Sequence, residues 1–267
     1  MLEQMLKFFV SGFVYPHITV TGLALGIGLS IAFGAVWLIG YWPPLFKRPW
    51  LWVVAASSAI LSWIAVSFLQ IPLQAWAGQA LVHFWSQQTL MRWLLLAGIP
   101  QILLSGLVQE GSKLVPVVIW WHGKNKTVTA RSGVTTGAVA GAGFGVFEAV
   151  WVLNMLFASG WSWNLVERQG LLALLPFWER FFTVAFHTGS CALAGYGLAK
   201  GWGWQFYLIA AFLHGIVNYS VVLVQTRVLT QVQMEIYIAA VAAVLTAVLL
   251  RIRWKSPAHT VDEVSLE

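Results

Sequence analysis

The sequence predicts an all-α, polytopic transmembrane helical bundle of about seven spans. Three observations carry that prediction. Of the 267 residues, 59% are hydrophobic and only 9% are charged, whereas soluble domains carry roughly 25% charged residues. Apolar runs of about 20 residues, the length a helix needs to cross a bilayer, recur along the chain. Tryptophans gather at the ends of those runs, at Trp42, Trp50, Trp120, Trp121, Trp161, Trp163, Trp202, Trp204 and Trp254, as an interfacial aromatic belt requires. The expectation is one transmembrane domain over residues 1–255, with its site-bearing core at 93–225, followed by a cytoplasmic tail at 256–267.

Residues 1–16 read as a short interfacial helix, with Leu2, Met5, Phe8 and Phe9 opposed to Glu3 and Lys7. The spans follow at about 18–41, closed by Trp42-Pro43-Pro44, and at about 50–70. Residues 71–90 are mixed in character (Gln74, Gln79, His83, Gln87, Gln88) and are expected along the outer interface. A third span runs about 93–121, with Pro100 and Pro116 as kink points. The remaining spans are expected at about 133–157, 172–199, 205–225 and 231–252.

The net charge of +6 does not indicate nucleic acid, because the basic residues sit in short loops and the tail. One side receives Lys47, Arg48, Lys124, Lys126, Arg131, Lys200, Arg251, Arg253 and Lys255; the other receives Lys7, Arg92, Arg168 and Arg227. Nine against four places the first side in the cytoplasm, with the N-terminus outside and the C-terminus inside. The lipid bilayer, expected to be a prokaryotic plasma membrane, is the obligatory partner. A lone cysteine, Cys191, excludes an intramolecular disulfide and reads as a small apolar packing residue.

Ionisable side chains in a bilayer core are costly and mark function by default. Glu110, Glu148, His187, and His214 with Asn218 fall mid-span in four consecutive predicted helices, all roughly 15–22 Å from the cytoplasmic end at about 1.5 Å per residue. Equal depth on four helices predicts convergence on one cavity. Glu110 and Lys113 are three apart and share a face; they read either as a carboxylate tuned by a neighbouring ammonium or as an internal ion pair. Gly137, Gly141 and Gly145 form a smooth strip for close helix approach, and Glu148 lies on it, so it points at a neighbouring helix. Asn154 continues that face as interhelical glue. Arg180 and His187 are seven apart and nearly eclipsed, with Glu179 or another carboxylate expected to neutralise Arg180. His214 and Asn218, four apart, share a face, and Asn218 can hold the His tautomer, a water or an oxyanion.

His187, His214 and Glu148 form a possible zinc set with a position open to water. The same residues can work without metal, a glutamate as base and His and Asn as oxyanion donors. HExxH is absent, and neither Ser105 nor Ser190 has the surroundings of a nucleophile elbow.

The ordered pieces are Gln109-Glu110-x-x-Lys113, Gly141-x-Gly143-Phe144-Gly145-x-x-Glu148, Glu179-Arg180 followed by His187, and His214-x-x-x-Asn218. Their order resembles the membrane protease superfamily of type II CAAX-prenyl endopeptidases, PrsW-type proteases and YhfC-type membrane peptidases, over residues 105–220. The resemblance implies an endopeptidase acting within the bilayer on a membrane-associated protein or peptide. In it Glu110 is the base, His187 its partner, His214 and Asn218 the oxyanion side, and Glu148 a second acid, with Gln109, Lys113 and Arg180 in support. The family's first motif usually opens with two glutamates, and here Gln109 takes the first place. A Gln-Glu pair also resembles the Aph subunit of gamma-secretase, a seven-span relative that acts as a scaffold. A proton-coupled transporter is the third reading, disfavoured because the two halves of the chain do not match each other.

Overall fold

The structure, a computed structural model, describes residues 2–257; most of the expected tail lies outside the described residues. Among them the chain is helical and contains no strand. Six helices are long and apolar enough to cross a membrane: Val20–Tyr41, Trp50–Phe84, Leu94–Gly123, Ala130–Ala158, Gly203–Gln225 and Gln231–Lys255. The chain is therefore an integral membrane protein in its architecture.

In chain order the helices are α1 (Leu2–Ser11), α2 (Val20–Tyr41), α3 (Trp50–Ala65), α4 (Ile71–Phe84), α5 (Gln87–Arg92), α6 (Leu94–Ala97), α7 (Ile99–Gly123), α8 (Ala130–Ala158), α9 (Trp163–Gln169), α10 (Leu175–Ala199), α11 (Gly203–Gln225) and α12 (Gln231–Lys255). Side-chain oxygens stop several of them cleanly. Thr19 accepts from the Gly22 amide at the start of α2, Thr129 from Ser132 at the start of α8, and Thr230 and Gln233 form a reciprocal capping box at α12.

The patterning is that of a bilayer protein. Helix α2 buries Gly22, Gly26, Ser30 and Gly34 and turns Leu25, Ile27, Ile31 and Val36 outward. Small residues inside let backbones approach, and large apolar ones outside meet hydrocarbon. Helix α8 follows the same logic at its contact with α10. A Cβ at Gly141 would fall inside van der Waals contact of the His187 carbonyl oxygen, on α10. The glycine strip thus faces α10, and the close approach brings the backbone of His187 against α8.

Helix α10 is the axis of the bundle. It packs against α8, α12, α11, α2 and α7, and every residue from Thr183 to Gly195 is buried. It is the most enclosed of the long helices, which lets it carry Arg180, His187 and Ser190 buried in the protein interior. Its Cys191 is a free, buried thiol, as expected of a packing residue.

Two expectations are revised. Residues 71–84 do not form a separate segment: a π-helical segment, Val66–Gln70, joins α3 to α4, giving a continuous 35-residue helix from Trp50 to Phe84. Such a π segment rotates the side chains that follow it, and turns of this kind cluster at functional sites; here it carries the buried Gln70. Pro100 sits in the first turn of α7, where its missing N–H is no loss, so only Pro116 lies inside the helix. Helix α1 is also more than a surface strip: Phe8 stacks on Trp63, whose indole N–H donates to the Phe9 carbonyl at 2.8 Å.

Overpacking the α8–α10 contact typically costs about 1–3 kcal/mol and more when backbone blocks the way. Gly141→Val is therefore expected to lower the thermal unfolding midpoint in detergent clearly, whereas Gly28→Ala, which meets nothing within 4 Å, leaves it unchanged. Equal midpoints for both variants would contradict the packing described.

Candidate functional site

The mid-span polar residues converge. Lys113, fully buried on α7, donates to Glu110 Oε1 at 2.5 Å, one turn back on the same helix. Its ammonium also lies 2.9 Å from His187 Nδ1 and 3.3 Å from Ser190 Oγ, both on α10. Ser190 donates onward to the two oxygens of Glu110, at 3.0 and 3.1 Å. From α11, His214 Nδ1 reaches Glu110 Oε1 at 2.6 Å. On the far side of His187, its Nε2 lies 3.0 Å from Glu148 Oε2 on α8. That oxygen also accepts from Arg180 Nη1 at 3.0 Å, and Arg180 pairs with Glu179 as well. One continuous network therefore ties α7, α8, α10 and α11 together, and buried charges of both signs answer each other within it.

The donors determine the tautomers. An ammonium carries only protons to give, so His187 Nδ1 must accept from Lys113 and its Nε2–H must donate to Glu148. A carboxylate carries only lone pairs, so His214 Nδ1–H donates to Glu110 and, in the neutral ring, Nε2 holds the lone pair. Among the described residues no group partners His214 Nε2 or Glu148 Oε1. Phe144 and Phe186 wall in the two imidazoles edge-to-face, with ring centroids 5.1 Å from His187 and 5.6 Å from His214.

A cavity of about 80 Å³ opens beside this network. Its walls include Gln109, Glu148, Arg180, Thr183, His187, His214 and Asn218; Glu110 and Lys113 are not among them and lie behind it. Asn218 Nδ2 donates to Ser105 Oγ at 2.9 Å, which leaves its second amide proton. Gln109 Nε2 donates to Gln70 Oε1 at 3.1 Å, while Gln109 Oε1 and Arg180 Nε are buried without a partner among the described residues. Asn154 stands apart from the site, its amide oxygen packed against Gly26 of α2.

Glu110, His187 and His214 offer ligand atoms within 4.8 Å of one another, a spacing that could hold a metal ion. This set differs from the expected one: Glu110 takes the place of Glu148, whose Oε2 is committed to His187 and Arg180. The Lys113 ammonium lies within hydrogen-bond distance of two of the three donors. A dication placed there would meet the Lys113 ammonium, so these three donors would hold a metal only with that ammonium moved aside.

Ser105 and Ser190 are weighed in the sequence only as nucleophiles, and Gln70 is not singled out. Ser190 follows His187 by one helical turn, a spacing that reports the shared face but not the Glu110 carboxylate it donates to. Ser105 and Gln70 carry no comparable signal, being single polar residues in apolar helices. Glu235 on α12 is buried and held by Gln231 at 2.7 Å, without reaching the network.

Breaking a buried ion pair from one side costs roughly 3–5 kcal/mol, because the other charge is stranded. Lys113→Met is expected to lower the unfolding midpoint sharply, and adding Glu110→Gln to it should recover most of the loss. A single variant as stable as the wild type would show that the pair contributes nothing.

The chain matches no protein-family model, no curated protein and no solved structure.

Proposed function

We propose that the chain is an intramembrane endopeptidase in which His214, oriented by Glu110, activates water against a peptide bond of a membrane-associated substrate. The observation that carries the reading is the buried Glu110–His214 contact at 2.6 Å. A carboxylate on Nδ1–H holds the imidazole in the tautomer whose Nε2 can take a proton, the logic of carboxylate–histidine dyads in hydrolases generally. His214 lines the cavity and Glu110 does not. The base thus moves from Glu110, as the resemblance implied, to the ring it orients.

In this mechanism water in the cavity attacks the carbonyl carbon while His214 Nε2 removes its proton. The oxygen that gains negative charge meets two kinds of donor on the same wall, the free amide proton of Asn218 and the unpartnered Nε–H of Arg180. Such preplaced donors are typically worth a few kcal/mol of barrier. The imidazolium then returns its proton to the departing amine nitrogen as the C–N bond breaks. His187 is engaged on both nitrogens and positions Glu148, which balances Arg180. The cation of the site is Lys113, and zinc at Glu110, His187 and His214 is the alternative that its removal would permit.

The seven-span reading belongs to the same proposal: α10, buried from Thr183 to Gly195, crosses with the six apolar helices, placing the N-terminus outside and the C-terminus in the cytoplasm. The nine-to-four distribution of Lys and Arg supports that orientation. A scaffold role resembling the Aph subunit is the second reading, favoured by the complete burial of Glu110 and Lys113.

The test is cleavage of membrane proteins co-reconstituted with the purified chain in liposomes, read as new N-termini. His214→Ala and Glu110→Gln are expected to lower cleavage by about 10²–10⁴-fold, and Asn218→Ala by about 10²–10³-fold, with folded yields retained for His214→Ala and Asn218→Ala. Prolonged chelation should leave activity intact. Wild-type cleavage by His214→Ala would sink the mechanism; chelator-sensitive cleavage restored by zinc would replace Lys113 with a metal.

A further inference from the structure

A second cavity, of about 300 Å³, lies at one end of the bundle, where the ends of α2, α7 and α12 meet the starts of α3 and α8. Lys47, Arg48, Arg131 and Arg253 line it, and no acidic residue does so among the described residues. Four cations without a carboxylate are unlike the main site, where every charge finds its opposite.

Two buried donors at this cavity lack partners. Arg253 is only 3% exposed. It donates through Nε to the Tyr41 carbonyl and through Nη2 to the Trp42 carbonyl at 3.2 Å. These acceptors are neutral, and its Nη1 has no partner. The indole nitrogen of Trp120, also on the wall, is buried and unpartnered too. Buried donors are nearly always satisfied in native proteins, so two orphans on one basic cavity point to an acceptor that fills it. Arg131 and Arg253 both stand over the Trp254 ring, at 6.0 and 4.7 Å from its centroid, two like charges on one aromatic side chain. The volume is far above the roughly 10–15 Å³ one water needs.

The donors are of the kinds that suit a polyoxygen anion. Guanidinium groups match phosphate oxygens in a planar fork. Ser132, in the first turn of α8, accepts the Thr129 hydroxyl at 3.0 Å and keeps its own proton to give. The start of a long helix adds backbone amide polarity of the right sign. Basic pockets between membrane helices are where phosphorylated lipid headgroups are recognised.

We infer that this cavity binds a phosphate group, carried by an anionic phospholipid headgroup or by a free anion. The inference is independent of the hydrolase reading and holds whether or not the chain cleaves anything.

Native mass spectrometry of the full chain from maltoside micelles tests it, with inorganic phosphate, short-chain phosphatidylglycerol and short-chain phosphatidylcholine titrated separately. One saturable adduct is expected with phosphate or phosphatidylglycerol. Saturation by phosphate alone assigns the free anion, and by phosphatidylglycerol alone the headgroup. Arg131→Gln and Arg48→Gln, neither of which disturbs the Arg253 bonds to Tyr41 and Trp42, should each weaken binding about tenfold. Lys126→Gln, a cation outside the cavity, should not. The inference is overturned by equal binding to wild type and both arginine variants, by phosphatidylcholine binding as tightly as phosphatidylglycerol, or by no saturable adduct with phosphate or phosphatidylglycerol.

Discussion

The structure depends on one buried ammonium. Lys113 sits at the crossing of α7 and α10, where it neutralises Glu110, occupies the lone pair of His187 and meets Ser190. An isolated charge there would be prohibitively costly in hydrocarbon. Answered by a carboxylate and two neutral acceptors, it becomes the node that defines which proton each imidazole carries. His187 is turned to give its proton to Glu148, and His214, bound to the same Glu110, is turned to keep a lone pair. The orientation of the cavity wall follows from that single charge.

The packing around it is arranged so that the node stays dry. The glycine strip of α8 lets α10 come within backbone contact, and α10 is then enclosed by five neighbouring helices. This enclosure explains how α10 can carry Arg180, His187 and Ser190 in the protein interior. Among the described residues six helices are apolar enough to cross a membrane, and the polar network also runs through α10, which is not one of them. The two cavities differ in their polar chemistry: the smaller is lined by charges of both signs, the larger by positive charges alone among the described residues.

Much of this was legible in the sequence, because helical spacing reports faces. Glu110 and Lys113 three apart, His214 and Asn218 four apart, and the four-residue glycine repeat each placed side chains on the faces where the structure has them. The pairing of Arg180 with Glu179 was expected because a cation within a span needs a carboxylate nearby, and Glu148 is a second such carboxylate. What spacing cannot report is helix rotation and rotamer. Whether Glu110 opens to the cavity or turns behind it depends on a fraction of a turn, and so does the choice between Glu110 and Glu148 beside the two histidines. The π segment at Val66–Gln70 was illegible for a related reason, since it adds a residue to a turn without any characteristic side chain. The role of Ser190 was illegible because serine in a membrane helix is common and its part appears only once the facing carboxylate is placed.

The tautomers are the sharpest consequence of the buried ammonium, and ¹⁵N NMR of the histidine ring nitrogens reads them directly in the full chain. With Lys113 as the central cation and no added metal, the neutral rings carry their protons on Nε2 in His187 and on Nδ1 in His214. Reversed tautomers, or ring nitrogens shifted by metal coordination, would contradict the account at its root.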